Sequence, residues 1–318
     1  MHFLTLFQHL IISLFIYEAQ GLVTSRGFRF TTPKNGQEGG CTPEDIEIIR
    51  HELKIVKEAA ETAARDVTNY PFFYAFQKPN NAFFKDKQFT KAAREFFLRM
   101  ARIADESYRG DNFRIHCRIE DCRYMGRGTH AILTESVMRQ FVPPVLWLMK
   151  PSDPVLAFCE PFFTGVSGVP TQQRLEQFRQ DLKELKEGKV KNLQSTSVNM
   201  DKVADTRSKV IMHELSHINY VAKPIIDIVR PNALRKKAMA DYVYDVFECY
   251  QLANGWWKSG NGWTGDVKNG VKGVKRAAMN AENWALVGMG TWFSKQLRIK
   301  KISIPGARDN HWGQEAET

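Results

Sequence analysis

In the stretch SKVIMHELSHINYVA (208–222), His213 and His217 stand four residues apart, with Glu214 beside the first. On a helix turning about 100° per residue, His217 falls about 40° from His213 and Glu214 about 100° from it. Ile211, Leu215, Ile218 and Ala222 gather on the far side, so the spacing predicts an apolar back to bury and an imidazole front to present. Two imidazoles at i and i+4 can reach one Zn2+ at about 2.0–2.1 Å. A carboxylate a quarter-turn round is badly placed to ligate and well placed to take a proton from water activated at that ion. The residues therefore point to one Zn2+ per chain with Glu214 as general base. A solvated His/Glu face on an ordinary amphipathic helix is the other reading of the same pattern.

A third ligand must come from elsewhere. Nineteen residues beyond His217 stands Lys236, where a thermolysin-like site has Glu, and HELSHINYVAK lacks the Gly and His of a metzincin. Further along, the chain reads KKAMADYVYDVFECYQLA (236–253). A helix over 232–253 puts Asp241, Tyr244 and Glu248 on one face. Asp241 then completes the metal set, and Tyr244, one turn on, aims its hydroxyl at a reacting carbonyl. Asp227, Asp245 and Glu248 remain alternative ligands.

The elements that must position these residues read as an α+β order: helices, a small mixed sheet, then more helices. Thr42 and Pro43 open a helix over 42–67, and a second is expected over 88–106. Short β-branched and aromatic runs place the sheet over roughly 112–165. Leu175, Phe178, Leu182 and Leu185 form one helical stripe, stopped by Gly188. Further helices are expected over 205–221, 232–253 and 271–296. Between the last two, NGWWKSGNGWTGDVKNGVKG (254–273) reads as a turn-rich connector with its Trp residues packed on the core.

Residues 1–21 carry an apolar run from Phe3 to Tyr17 and then Ala19-Gln20-Gly21, the pattern of a cleaved secretory signal. Residues 22–40 read as a polar leader or arm, 41–296 as one metallopeptidase domain, and 297–318 as a loose tail. The net charge of +10 is scattered along the chain, without the basic run or interleaved aromatics of a nucleic-acid groove. Five cysteines (41, 117, 122, 159, 249) without a CxxC pair suit an oxidising, extracellular compartment with two disulfides and one free thiol.

His213-Glu214-Leu215-Ser216-His217, Ala240-Asp241-Tyr242-Val243-Tyr244 and Asn280-Ala281-Glu282-Asn283-Trp284-Ala285 together resemble the aspzincins, fungal secreted metallopeptidases that include deuterolysin and the peptidyl-Lys metalloendopeptidases. FCEPFF (158–163) is similar to a strand that precedes their catalytic helix. The chain departs from the family in having Met239-Ala240 before the Asp, Asp245 after the Tyr, and twenty-three residues between His217 and Asp241. The resemblance implies a zincin-like fold with an HExxH active-site helix. It implies metal ligands His213, His217 and Asp241, catalytic Glu214 and Tyr244, and disulfides Cys41–Cys117 and Cys122–Cys159. Cys249 is then left over as a small buried hydrophobe. Glu282 keeps one of two acidic positions that receive a substrate lysine in the lysine-specific relatives; the other is Ala285.

The expected function is a secreted, monomeric zinc endopeptidase acting on proteins or peptides, with no nucleic-acid partner and no membrane association after signal cleavage. The alternative is a non-catalytic secreted effector or interaction protein on the same fold, with a vestigial or structural metal site.

Overall fold

A computed structural model describes residues 22–24, 28–31, 40–69, 71–77, 86–107, 113–118, 131–134, 155–165, 168–193, 196–230, 239–259, 262–265 and 271–306. The predicted signal segment, Cys122 and residues 307–318 lie outside them. The chain forms two compact units, Met1–Arg50 with Glu106–Phe163, and His51–Asp105 with Thr164–Thr318.

The first unit is built on a five-stranded mixed sheet in the order β1-β2-β3-β5-β4. Its strands are β1 (Leu22–Thr24), β2 (Phe28–Thr31), β3 (Phe113–Cys117), β4 (Ala131–Thr134) and β5 (Val155–Phe158). The central pairs β2/β3 and β3/β5 are parallel, with Phe30 opposite Ile115 and Ile115 opposite Leu156. The outer pairs β1/β2 and β5/β4 are antiparallel. The sheet expected over roughly 112–165 is present there as β3, β4 and β5. The stretch expected as a polar arm supplies two more, because Phe28 and Phe30 alternate inward and are buried. A disulfide joins Cys41 to Cys117. Cys159 is also disulfide-bonded, and its expected partner Cys122 is outside the described residues.

Helix α1 (Pro43–Asp66) starts where Thr42 and Asp45 satisfy each other's backbone N–H groups through their side chains, at 3.1 and 3.2 Å. The second unit adds α2 (Pro71–Gln77), α3 (Asp86–Ile103), α5 (Thr171–Lys186), α6 (Met200–Ala204), α7 (Arg207–Ser216), α8 (Asn219–Val229), α9 (Val246–Ala253), α10 (Val271–Ala278) and α11 (Ala281–Leu297). The short α4 (Glu160–Thr164) follows β5. Among the described residues no helix is long and apolar enough to cross a membrane.

Helix α11 is the axis of this unit, buried on every side from Ala281 to Ser294. Trp284 lies among Phe89, Phe96 and Phe97 of α3, with ring centroids 4.6–6.2 Å apart. Its indole N–H donates to the Ala278 carbonyl. Two glycines let neighbours approach this axis. A Cβ on Gly288 would meet the Met212 sulfur of α7 at 2.3 Å, and one on Gly290 would meet the Phe72 ring of α2 at 3.0 Å. The region 254–273 contains a hairpin, β6 (Trp256–Ser259) with β7 (Gly262–Gly265), and Trp256 is exposed rather than packed inward. Residues 299–304 are not a loose tail: Met200 donates to the Ser303 carbonyl at 2.8 Å, and Ile302 and Ile304 are buried.

Candidate metal centre

The HELSH segment forms the last turns of α7. The helix start is fixed by the buried Glu52 carboxylate of α1, which accepts from the Thr171 N–H at 3.1 Å, the Thr171 hydroxyl at 2.6 Å and the Ser208 hydroxyl. Ile211 and Leu215 are fully buried, as the apolar back requires. The expected helix over 205–221 is instead two helices meeting at His217 and Ile218. The Ser216 hydroxyl donates back to the Met212 carbonyl at 2.8 Å, a bond that competes with the helical ladder and bends it. The last amides reach only three residues back, His217 to Glu214 and Ile218 to Leu215. His217 keeps right-handed helical angles (φ −76°, ψ −17°) and so stays on the face of His213.

Both rings are held by their outer nitrogens. His217 Nδ1 donates to the Met239 carbonyl at 3.0 Å, which orients the ring and turns Nε2 toward His213 and Asp241. His213 Nδ1 lies 2.7 Å from Glu282 Oε2. The other oxygen of Glu282 accepts from Lys209 Nζ at 2.8 Å. Outer partners of this kind orient metal-binding imidazoles.

Asp241 and Tyr244 do not lie on a helix, contrary to the local pattern. Segment 239–244 is captured by the junction between α10 and α11. Ala240 N–H donates to the Met279 carbonyl at 2.8 Å, and Ala281 N–H donates to the Ala240 carbonyl at 3.1 Å. The side chain of Asn280, fully buried, acts as a further strand partner. Its Oδ1 accepts from Tyr242 N–H at 2.8 Å, and its Nδ2 donates to the Val243 carbonyl at 3.1 Å. Asn280 also donates to Asn283 Oδ1, whose amide in turn reaches the Cys249 carbonyl on α9. Asp245 then caps α9 by accepting from Glu248 N–H. Cys249 is free and buried, as expected.

This framework brings Asp241 Oδ1 to 3.1 Å from His213 Nε2 and 3.1 Å from His217 Nε2. The two Nε2 atoms are 3.3 Å apart. A tetrahedral ion with bonds of about 2.0–2.1 Å has ligand atoms about 3.3 Å from one another, so these three atoms form one face of such a site. Three carboxylates, Glu214, Asp241 and Glu282, stand against one ammonium, Lys209, a formal balance suited to a dication. Among the described residues, His213, His217 and Asp241 form a group able to hold a metal ion.

The electrostatics agree. Burial pushes the His213 imidazolium down, but hydrogen bonds to Asp241 and Glu282 and the charges of Glu282 and Glu214 outweigh it and lift its pKa to about 10. Burial pushes Asp241 up, yet the two histidines hold its carboxyl well below the usual carboxylate range. Tyr244 stacks over the His213 ring, with centroids 5.5 Å apart and planes at 23°. Although Tyr244 is exposed as a residue, partial desolvation of its phenol raises the pKa, as do the charge of Asp241 and a hydrogen bond to it. Glu214 sits close enough to act electrostatically on both His213 and Tyr244.

The structure thus brings His213, Glu214, His217, Asp241 and Tyr244 together. Glu282 departs from its expected place: it is 0% exposed and both oxygens are engaged inside the protein, so its carboxylate does not face a substrate. Of the alternative ligands, Asp227 pairs with Lys223, and Asp245 is the α9 cap. Lys209 and Asn280 received no role from the sequence. Lys209 carried a signal, since four residues before His213 it shares the same helix face.

Models of known protein families, curated proteins and solved structures yield no match to the chain.

Proposed function

We propose that this chain is a secreted zinc endopeptidase of zincin type that hydrolyses peptide bonds at the His213–His217–Asp241 centre. The observation that carries the proposal is the triangle of ligand atoms 3.1–3.3 Å apart with Glu214 on the same turn as His213. A two-nitrogen, one-oxygen donor set forming three corners of a tetrahedron suits Zn2+ in a catalytic site. When bound, such an ion lowers the pKa of water and polarises a carbonyl.

The chain's own groups supply the rest. Glu214 takes a proton from the attacking water and returns it to the leaving amine. The Tyr244 hydroxyl donates to the oxygen on which charge develops. It can leave Asp241 to do so because the Tyr244 side chain is largely open to solvent. His213 is buried, whereas Asp241 and Tyr244 are exposed, so the centre is reached from one side of the segment 241–244. A purely structural metal site has no use for a carboxylate poised beside it, which favours catalysis over a non-catalytic reading.

The test is Glu214→Gln, assayed on unstructured peptides with metal content measured in parallel. The expected outcome is retained metal and a fall in kcat of about 10²–10⁴-fold, the usual contribution of a general base. Equal cleavage by wild type and variant would sink the proposal, as would a metal-loaded wild type that cleaves nothing.

A further inference from the structure

We infer that Lys209 is a positioning residue for the metal centre: it holds Glu282 in the orientation that fixes the His213 ring. The inference rests on the metal-site reading above and adds a residue which that reading does not use.

Lys209 and His213 stand one turn apart on α7, and both grip the same carboxylate on α11. Lys209 Nζ lies 2.8 Å from Glu282 Oε1, and His213 Nδ1 lies 2.7 Å from Oε2. The Lys209 side chain is 14% exposed and the Glu282 side chain 0%. One oxygen therefore belongs to each donor, and neither oxygen has water to fall back on. A carboxylate can turn about its last bond, and a partner on one oxygen alone does not prevent that. With the ammonium on Oε1, the plane of the group is set, and Oε2 stays in line with His213 Nδ1. That contact fixes the plane of the ring and aims Nε2 at the space it shares with Asp241 and His217. Without Lys209, Oε1 is left buried and unpaired, and the carboxylate turns or draws in water. The same ion pair withdraws Glu282 from substrate recognition: its carboxylate already holds a lysine, the protein's own.

The experiment uses the full chain with Zn2+ and Co2+ as probes. Zn2+ affinity is measured by competition with a chromophoric chelator, and the visible absorption of the Co2+-loaded protein reports ligand geometry. Lys209→Met is expected to weaken Zn2+ binding about 10–100-fold, the usual loss for an outer partner of a metal-binding histidine, and to alter the Co2+ spectrum. Lys209→Arg, which restores a cation with donors in reach of Oε1, is expected to recover most of the affinity and the wild-type spectrum. If Lys209→Met does not fold, Lys209→Gln carries the same expectation in milder form. Affinity and spectrum unchanged in the Met or Gln variant would overturn this inference alone. A wild-type chain that takes up neither Zn2+ nor Co2+ would overturn it together with the metal-site reading.

Discussion

Asn280→Ala should separate the folding of the second unit from the placement of its third ligand. Asn280 is 0% exposed. Its side chain makes three well-formed bonds, from Tyr242 N–H at 2.8 Å, to the Val243 carbonyl at 3.1 Å and to Asn283 Oδ1 at 2.8 Å. Two more, from Val243 N–H at 3.4 Å and to Cys249 Sγ at 3.6 Å, are weak. At about 1 kcal/mol net per good bond, truncation costs about 3 kcal/mol. A domain with about 5–15 kcal/mol of stability survives that loss. The two backbone bonds of Ala240 to Met279 and Ala281 remain, so segment 239–244 stays attached while its part beyond Asp241 loses its clamp. Metal binding must then order that part. If half of the loss is recovered on binding, about 1.4 kcal/mol appears as a tenfold weaker Kd. Urea unfolding of the metal-free chain and chelator competition measure the two quantities separately. A fall of about 3 kcal/mol in stability with metal affinity unchanged within twofold would show that Asp241 is placed independently of Asn280, against the expectation.

Two further outcomes are expected. In the metal-free chain, His213 titrates near 10 rather than at the ordinary 6.5. Folding takes up a proton there, so this contribution to stability is whole below pH 6.5 and is lost as pH rises through about 10. A metal must displace that proton, so binding at pH 7 releases protons and tightens with rising pH; calorimetry in two buffers of different ionisation enthalpy reads the count, and zero protons released would contradict it. Gly288→Ala places a Cβ 2.3 Å from the Met212 sulfur at the α7–α11 contact and should cost about 1–3 kcal/mol. A melting temperature equal to wild type would mean that Met212 swings clear.

How far the sequence can be read depends on the range of the contacts involved. The two faces of the HELSH helix are legible because 3.6-residue periodicity is local: Ile211, Leu215, Ile218 and Ala222 are all buried, and the two imidazoles converge. The break at Ile218 is not legible, because it comes from Ser216 bonding back to Met212 rather than from a glycine or proline. Nor does Pro224 break α8. The Tyr220 carbonyl that its missing N–H leaves open accepts from Arg99 of α3 at 3.0 Å, a partner 121 residues away. The residues 241–244 carry a helical pattern that loses to Asn280 and its neighbours, some 38 positions on. Tertiary capture overrides propensity in such cases. Residue type therefore finds Asp241 and Tyr244, while local periodicity gives them the wrong conformation. Glu282 reads from the sequence as a substrate contact, but burial beside Lys209, 73 residues away, gives it inward partners. The leader reads as an arm because its two short strands carry few residues each, and only pairing within the sheet, with β1 and β3, makes Phe28–Thr31 a strand.

The most direct test of the metal centre is the metal content of the purified chain, measured by inductively coupled plasma mass spectrometry after reconstitution with Zn2+, for wild type, His213→Ala and Asp241→Ala. About one zinc per chain in the wild type, lost from both variants, is the predicted result. Zinc retained by Asp241→Ala, or absent from the wild type, would contradict the site as built from His213, His217 and Asp241.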